Sequence, residues 1–245
     1  MIRMLSFLGA ALLVILMTHK SAQAAQTDVL KTNAGDLDMV LIGHGTLYFV
    51  FNGKVYHVDP WSKLADYTAL PKADVALITH EHKDHLDPGA IMAVSKPETK
   101  IIVTPAARDM LDAGEVMQNG DVRELPGGVR VEAVPAYNIV HKREGGEPFH
   151  PKGRGNGYVF TFGDKKVYVA GDTEDIPEMA KLTDIDVAFL PMNLPYTMTP
   201  EMAAKAARSF KPKVLYPYHY GETDPQKLVD LLKDSGIEVR VREMR

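Results

Sequence analysis

The chain of 245 residues reads as one α/β domain in which two mixed β-sheets are faced by helices. Three observations point there. Each half of the chain runs several strand-like segments and then alternates strands with helices. The strand-like runs are short, apolar and bounded by turn residues. His80, Asn138, Asp172, Asn193 and His219 each stand just past one of those runs, where ligands gather in open α/β sheets.

The elements follow in chain order. Residues 25–36 are polar and read as a loose start. Residues 38–60, DMVLIGHGTLYFVFNGKVYHVDP, are apolar runs broken at Asn52-Gly53, a pair that favours a tight hairpin turn. ADVALIT (73–79) has the length of a buried strand and delivers a histidine cluster at its end. DPGAIMAVS (87–95) reads as a short helix, KIIVTP (100–105) as a buried strand and AARDMLDAG (106–114) as a helix closed by Gly114. The second half repeats this layout without matching residues at a fixed period. GVRVEAVPAYN (128–138) alternates as a strand, GYVFTFGDKKVYVAGDT (157–173) makes two strands around Gly163-Asp164, and DVAFLPMN (186–193) is a buried strand. TPEMAAKAARSF (199–210) is a helix with Thr199 as N-cap and Pro200 at its first position. KVLYPYHY (213–220) is a strand, DPQKLVDLLKDSG (224–236) a helix and IEVRVRE (237–243) a terminal strand. The polar stretch from Asn138 to Asn156 is long for an internal loop, as functional lids often are.

Composition narrows the chemistry. Hydrophobic residues make up 45% and charged residues 24%, ordinary values for a globular chain. With 28 basic against 32 acidic residues there is no excess charge to attract nucleic acid. Cysteine is absent, which excludes a thiol nucleophile, a disulfide or a thiolate metal site. The N-terminus has the three parts of an export signal: Arg3, the apolar run Leu5 to Met17, and Ser21-Ala22-Gln23-Ala24 before a cleavage point. Residues 1–24 are therefore expected to be removed. The mature domain, 25–245, is expected in the periplasm or outside the cell, with no stable membrane insertion.

The stretch His80-Glu81-His82-Lys83-Asp84-His85 holds three of the nine histidines. Imidazole and carboxylate are the ligands left to a chain without cysteine. His80 and His82, two apart, turn the same way in an extended segment. Asp84 and His85 point elsewhere and suit a second ion. Asp172, in VYVAGDT, ends a buried strand where a carboxylate can bridge two ions, and His219, in YPYHY, ends another. No Gly-x-Ser-x-Gly is present, so a serine nucleophile has no support.

His80-x-His82-x-Asp84-His85, then Gly171-Asp172-Thr173, then the late His219, resembles the metallo-β-lactamase-fold hydrolase superfamily over nearly the whole mature chain. Gly43-His44-Gly45 and HVDPW (57–61) resemble the branch that contains L-ascorbate-6-phosphate lactonase and the N-acyl-phosphatidylethanolamine phospholipase D. The resemblance implies an αββα sandwich with its site at one edge of the two sheets. It implies two divalent ions: one on His80 and His82, the other on Asp84, His85 and His219, with Asp172 between them. Zinc is the expected metal, and the nitrogen and oxygen ligands also admit manganese or iron. Asp59 is similar to a carboxylate that orients a ligating histidine, and His44 to a pocket histidine touching substrate or ligand. The sequence departs at Asn138, where the family places a metal-binding histidine. His150, in FHPKG, is the expected replacement, ahead of His141.

The implied function is a metal-dependent hydrolase that makes hydroxide on its ions and cuts an ester, lactone or phosphodiester-type bond in a small molecule. Asp84 and Asp172 would be its catalytic carboxylates, orienting the nucleophile. The alternatives are an exported β-lactamase or a non-catalytic metal-binding protein of the envelope. Trp61 reads as a core aromatic or a wall of the site, and Tyr137, Tyr196 and Tyr218 as packing residues. Lys142, Arg143, Lys152 and Arg154 read as a solvated basic loop or as a greeting for an anionic substrate.

Overall fold

Two seven-stranded sheets lie face to face, and each takes its strands in chain order. The computed structural model describes residues 25–245, so the export segment expected over 1–24 lies outside the described residues. In the first sheet β1 (Gln26–Thr32), β2 (Gly35–Gly43), β3 (Thr46–Phe51) and β4 (Lys54–Val58) are antiparallel. β5 (Val75–Leu77), β6 (Lys100–Val103) and β7 (Glu115–Val116) then continue it in parallel. The second sheet repeats the scheme. β8 (Val122–Leu125), β9 (Val129–Ala136), β10 (Gly155–Phe162) and β11 (Lys165–Val169) are antiparallel. β12 (Val187–Pro191), β13 (Val214–Tyr218) and β14 (Glu238–Val239) are parallel. Helices α1 (Pro88–Val94) and α2 (Pro105–Leu111) flank the first parallel half, and α3 (Pro200–Phe210) and α4 (Gln226–Leu232) the second. This is the αββα sandwich of the metallo-β-lactamase fold.

Local chemistry explains the elements. Asn52 (φ 48°) and Gly53 (φ 70°) close the β3–β4 hairpin, both in the left-handed region that its two-residue turn requires. Asp87, Thr104 and Thr199 cap α1, α2 and α3, accepting from the N–H groups of Ala90, Ala107 and Met202, and a proline opens each helix. The core fills the space between the sheets. Phe49 meets Phe160 and Phe51 meets Phe162, each pair 5.3 Å between ring centroids. Burying each such ring contributes about 2 kcal/mol.

Residues 25–36 do not form a loose start. They hold β1, which pairs with β2 from Gln26–Leu41 to Thr32–Gly35. Its side chains are mostly exposed, so it carries no apolar pattern. Backbone pairing holds it, and Asp28 accepts from the Tyr216 hydroxyl (2.6 Å) and the Arg242 guanidinium (3.1 Å). At the other end, β14 is shorter than IEVRVRE suggests.

Candidate metal centre

The histidine turn after β5 is fastened to both sheets. Asp59, buried at the end of β4 with φ 46°, accepts from the Thr79 N–H (2.8 Å), the Thr79 hydroxyl (2.6 Å) and His85 Nδ1 (2.7 Å). From the second sheet, the Tyr158 hydroxyl donates to Ile78 O and the Asn156 N–H to Thr79 O, both at 2.8 Å. Because Thr79 gives its proton to Asp59, its oxygen accepts from His80 Nδ1 at 3.0 Å. The contacts at Nδ1 orient both rings, so that His80 and His85 each turn Nε2 inward as the nitrogen left for a ligand.

The loop after β9 supplies a third such ring. Glu174, wholly buried, accepts from the N–H groups of Ile139, Val140 and His141, each at 2.6 Å, and from His141 Nδ1 at 2.7 Å. Asn138 donates its amide N–H to Tyr196 O (2.8 Å), which leaves its oxygen to accept from His150 Nδ1 (2.7 Å). His150 Nε2 then lies 3.2 Å from His82 Nδ1, and His80 Nε2 lies 3.1 Å from the same atom. One proton on His82 Nδ1 serves only one of these partners; a cation serves all three nitrogens.

A second group adjoins the first. His44, Asp84, His85 and His219 bring one ligand atom each within 4.8 Å of one another, as do His80, His82 and His150, and His80, His85 and Asp172. Asp172 Oδ2 stands 3.3 Å from His150 Nε2 and 3.5 Å from His219 Nε2, and its Oδ1 3.5 Å from His85 Nε2. Asp84 Oδ2 is 3.5 Å from His219 Nε2 and 3.0 Å from His44 Nε2. Among the buried atoms without a hydrogen-bond partner are His85 Nε2, Asp172 Oδ1 and His219 Nε2. Such atoms are costly unless something binds them. Their number and their clustering fit divalent ions.

Burial, then the neighbouring His85, holds His80 well below the usual histidine range; burial, then His150, lowers His82. Both rings therefore keep lone pairs at neutral pH. Burial alone would raise Asp172, but His219 and His85 outweigh it and keep the carboxylate ionised. Burial alone would lower His85, but Asp172 and Asp59 outweigh it and lift the ring well above its ordinary value. A cation at Nε2 would take the place of that proton.

All the residues expected at the site converge: His80, His82, Asp84, His85, His150, Asp172 and His219, with Asp59 behind His85 and His44 beside Asp84. His141 turns instead to Glu174. Asn138 orients His150. Trp61 is half-buried against His44, with ring centroids 4.9 Å apart. Lys152 and Arg154 are taken up by Glu178 and Glu81, both at 2.7 Å, while Arg143 faces the site. Thr79 and Glu174 carry no sequence signal, since polar residues beside a strand end are ordinary and their burial is invisible in one dimension.

The sandwich and its imidazole–carboxylate cluster define the class of metallo-β-lactamase-fold proteins. Residues 38–219 match the model described as the Beta-lactamase superfamily domain. A UPF0173 metal-dependent hydrolase of Anoxybacillus flavithermus is 30% identical over 222 residues, covering 82% of this chain and 96% of that one. One from Methanopyrus kandleri is 30% identical over 217 residues, covering 82% and 93%. Among solved structures, a protein of Parabacteroides distasonis described as a metal-dependent hydrolase is 53% identical, with a TM-score of 0.87 over 90% of this chain and all of that one. A metallo hydrolase of Ignicoccus hospitalis is 25% identical, with a TM-score of 0.71 over 85% and 95%. The chain belongs to the UPF0173 family of metal-dependent hydrolases.

Proposed function

We propose that the protein hydrolyses an ester, lactone or phosphodiester-type bond of a small molecule at two divalent ions, zinc first among them. His80, His82 and His150 hold one ion, Asp84, His85 and His219 the other, and Asp172 lies between. Such ions, when bound, acidify water and polarise the oxygen of the bond to be cut. The protein's own residues do the rest. Asp59, Thr79 and Asn138 orient the rings of His85, His80 and His150. Asp84, half-buried against the cavity, is held well below the usual carboxylate range: burial alone would raise it, but the imidazoles of His219 (3.5 Å) and His44 (3.0 Å) outweigh burial. It stays ionised, as Asp172 does, and either carboxylate would orient the attacking water. His44, held against Asp84, completes that wall.

The observation that carries this reading is the convergence of two ligand groups, with orphaned buried nitrogens, on a cavity of about 400 Å³ lined by His82, Asp84, His150, Asp172 and His219. That volume suits a small molecule. The net charge of −4 gives nucleic acid no general attraction. Metal analysis paired with a panel of lactones, phosphodiesters and lactams tests the reading. His82→Ala and Asp172→Ala should each cut hydrolysis about 100-fold or more and lower metal content while circular dichroism is unchanged. Full activity in either variant contradicts the mechanism. The reading also takes the protein to be exported and cleaved after Ala24, on the strength of the N-terminal pattern. N-terminal sequencing of the exported fraction should begin at Ala25; an intact Met1 there would refute it. Among the described residues no helix is long and apolar enough to cross a membrane.

A further inference from the structure

We propose that Arg143, the Nε2–H of His82 and the Lys83 ammonium form an anion-binding subsite beside the metal centre, so that the substrate carries a carboxylate or phosphate set apart from the bond that is cut. The inference deepens the hydrolase reading above and rests on it.

Arg143 is built into position. Its N–H donates to Glu147 O at 2.8 Å, and the Gly146 N–H donates back to Arg143 O at 2.9 Å, closing a tight turn. Lys142 and Pro148 form a β-bridge across the same turn. The guanidinium lies 5.2 Å from the centroid of the Phe149 ring, and its Nη2 is 3.4 Å from His82 Nε2. His82 turns Nδ1 toward His80 and His150. A neutral imidazole using Nδ1 as ligand carries its proton on Nε2. Two donors therefore face the same point, and neither can satisfy the other. An anionic oxygen in front of them accepts from both.

Charge pairing and position together point to the same place. Lys152 and Arg154, in the same loop, are matched by Glu178 and Glu81. No ion pair among the described residues uses Arg143 or Lys83, and both line the cavity. The cavity's own carboxylates, Asp84 and Asp172, are committed to His44, His85, His150 and His219. A planar guanidinium binds two oxygens of a carboxylate or phosphate side by side, which selects a group of that shape over a lone charge.

The test is equilibrium binding of succinate and of inorganic phosphate to metal-loaded protein by calorimetry, in wild type, Arg143→Ala and Arg143→Lys of equal metal content. The expected result is at least about tenfold weaker binding of one anion in Arg143→Ala, the value of one charge-assisted hydrogen bond, with partial recovery in Arg143→Lys. The anion that responds names the group. Unchanged binding of both anions in Arg143→Ala, or no binding to wild type at millimolar concentration, overturns the subsite. Where succinate is the anion that responds, kinetics add a second arm: the kcat/KM ratio of mono-4-nitrophenyl succinate over 4-nitrophenyl acetate should exceed ten in wild type and collapse in Arg143→Ala, and an equal ratio in the two proteins overturns the proposal. If neither these esters nor any lactone or phosphodiester of the panel is cut while anion binding still depends on Arg143, the hydrolase reading fails and the subsite stands.

Discussion

Asn138 serves the proposed centre through His150 rather than by binding an ion. Its amide nitrogen is committed to Tyr196 O, so its oxygen must take the His150 proton. Asn138→Ala should weaken binding of the first ion about 10- to 100-fold, and Asn138→Asp, which keeps an acceptor, should retain most of it. Titrating metal into stripped protein decides; wild-type affinity in the alanine variant would remove Asn138 from the account. Gly45 is a second single-residue test. A Cβ there would stand 2.7 Å from His85 Cε1 and 3.4 Å from His219 Cδ2. His85 cannot retreat, because Asp59 holds its other nitrogen. Gly45→Ala should therefore lose about one ion per chain with the fold intact, and normal metal content would contradict this. At this scale the sequence shows the ligands crowded into one turn, His80 to His85, because proximity along the chain ensures proximity in space. It offers His150 only beside His141, and Glu174 not at all.

Among the elements, capped helices and tight turns were the most legible, because their signals are local. Thr199 accepts from the Met202 N–H at the head of α3, whose inner face buries Ala203, Ala204, Ala207 and Phe210. Thr199→Ala should cost about 1 kcal/mol, lowering the melting temperature by about 2–4 °C. Hydrolysis per folded molecule should not change, since α3 supplies no ligand; a fall in both would mean that the helix positions the site. The edge strand β1 was illegible for the opposite reason. Its stability comes from a backbone ladder and from side chains nearly 190 or more residues away, such as Tyr216 and Arg242.

For the whole molecule, bound ions and buried histidines link stability to conditions. An ion present at 1,000 times its Kd adds about 4 kcal/mol of stability per site, so EDTA should lower the melting temperature of wild type much more than that of His82→Ala. Equal shifts would mean that the ions are not held by these residues. His57 is buried beneath Tyr48, and burial lowers it from 6.5 to about 4. The unfolded chain thus takes up a proton that the folded chain refuses between those values. The stability from the neutral ring is whole above pH 6.5 and is lost as pH falls toward 4, by a total of about 3 kcal/mol. Urea midpoints from pH 7 to 5 should fall more steeply in wild type than in His57→Gln, and parallel curves would refute the assignment.

From its residues alone the protein's two-halved strand order, its capped helices and its cluster of metal-ligating types could be read. Periodicity, caps and crowding are properties of neighbouring positions. Only tertiary structure decided which nitrogen each histidine turns inward, which loop cation faces the cavity and which asparagine supports a ligand. Each of these depends on a hydrogen-bond partner brought from a distant strand, and no local pattern encodes that partner.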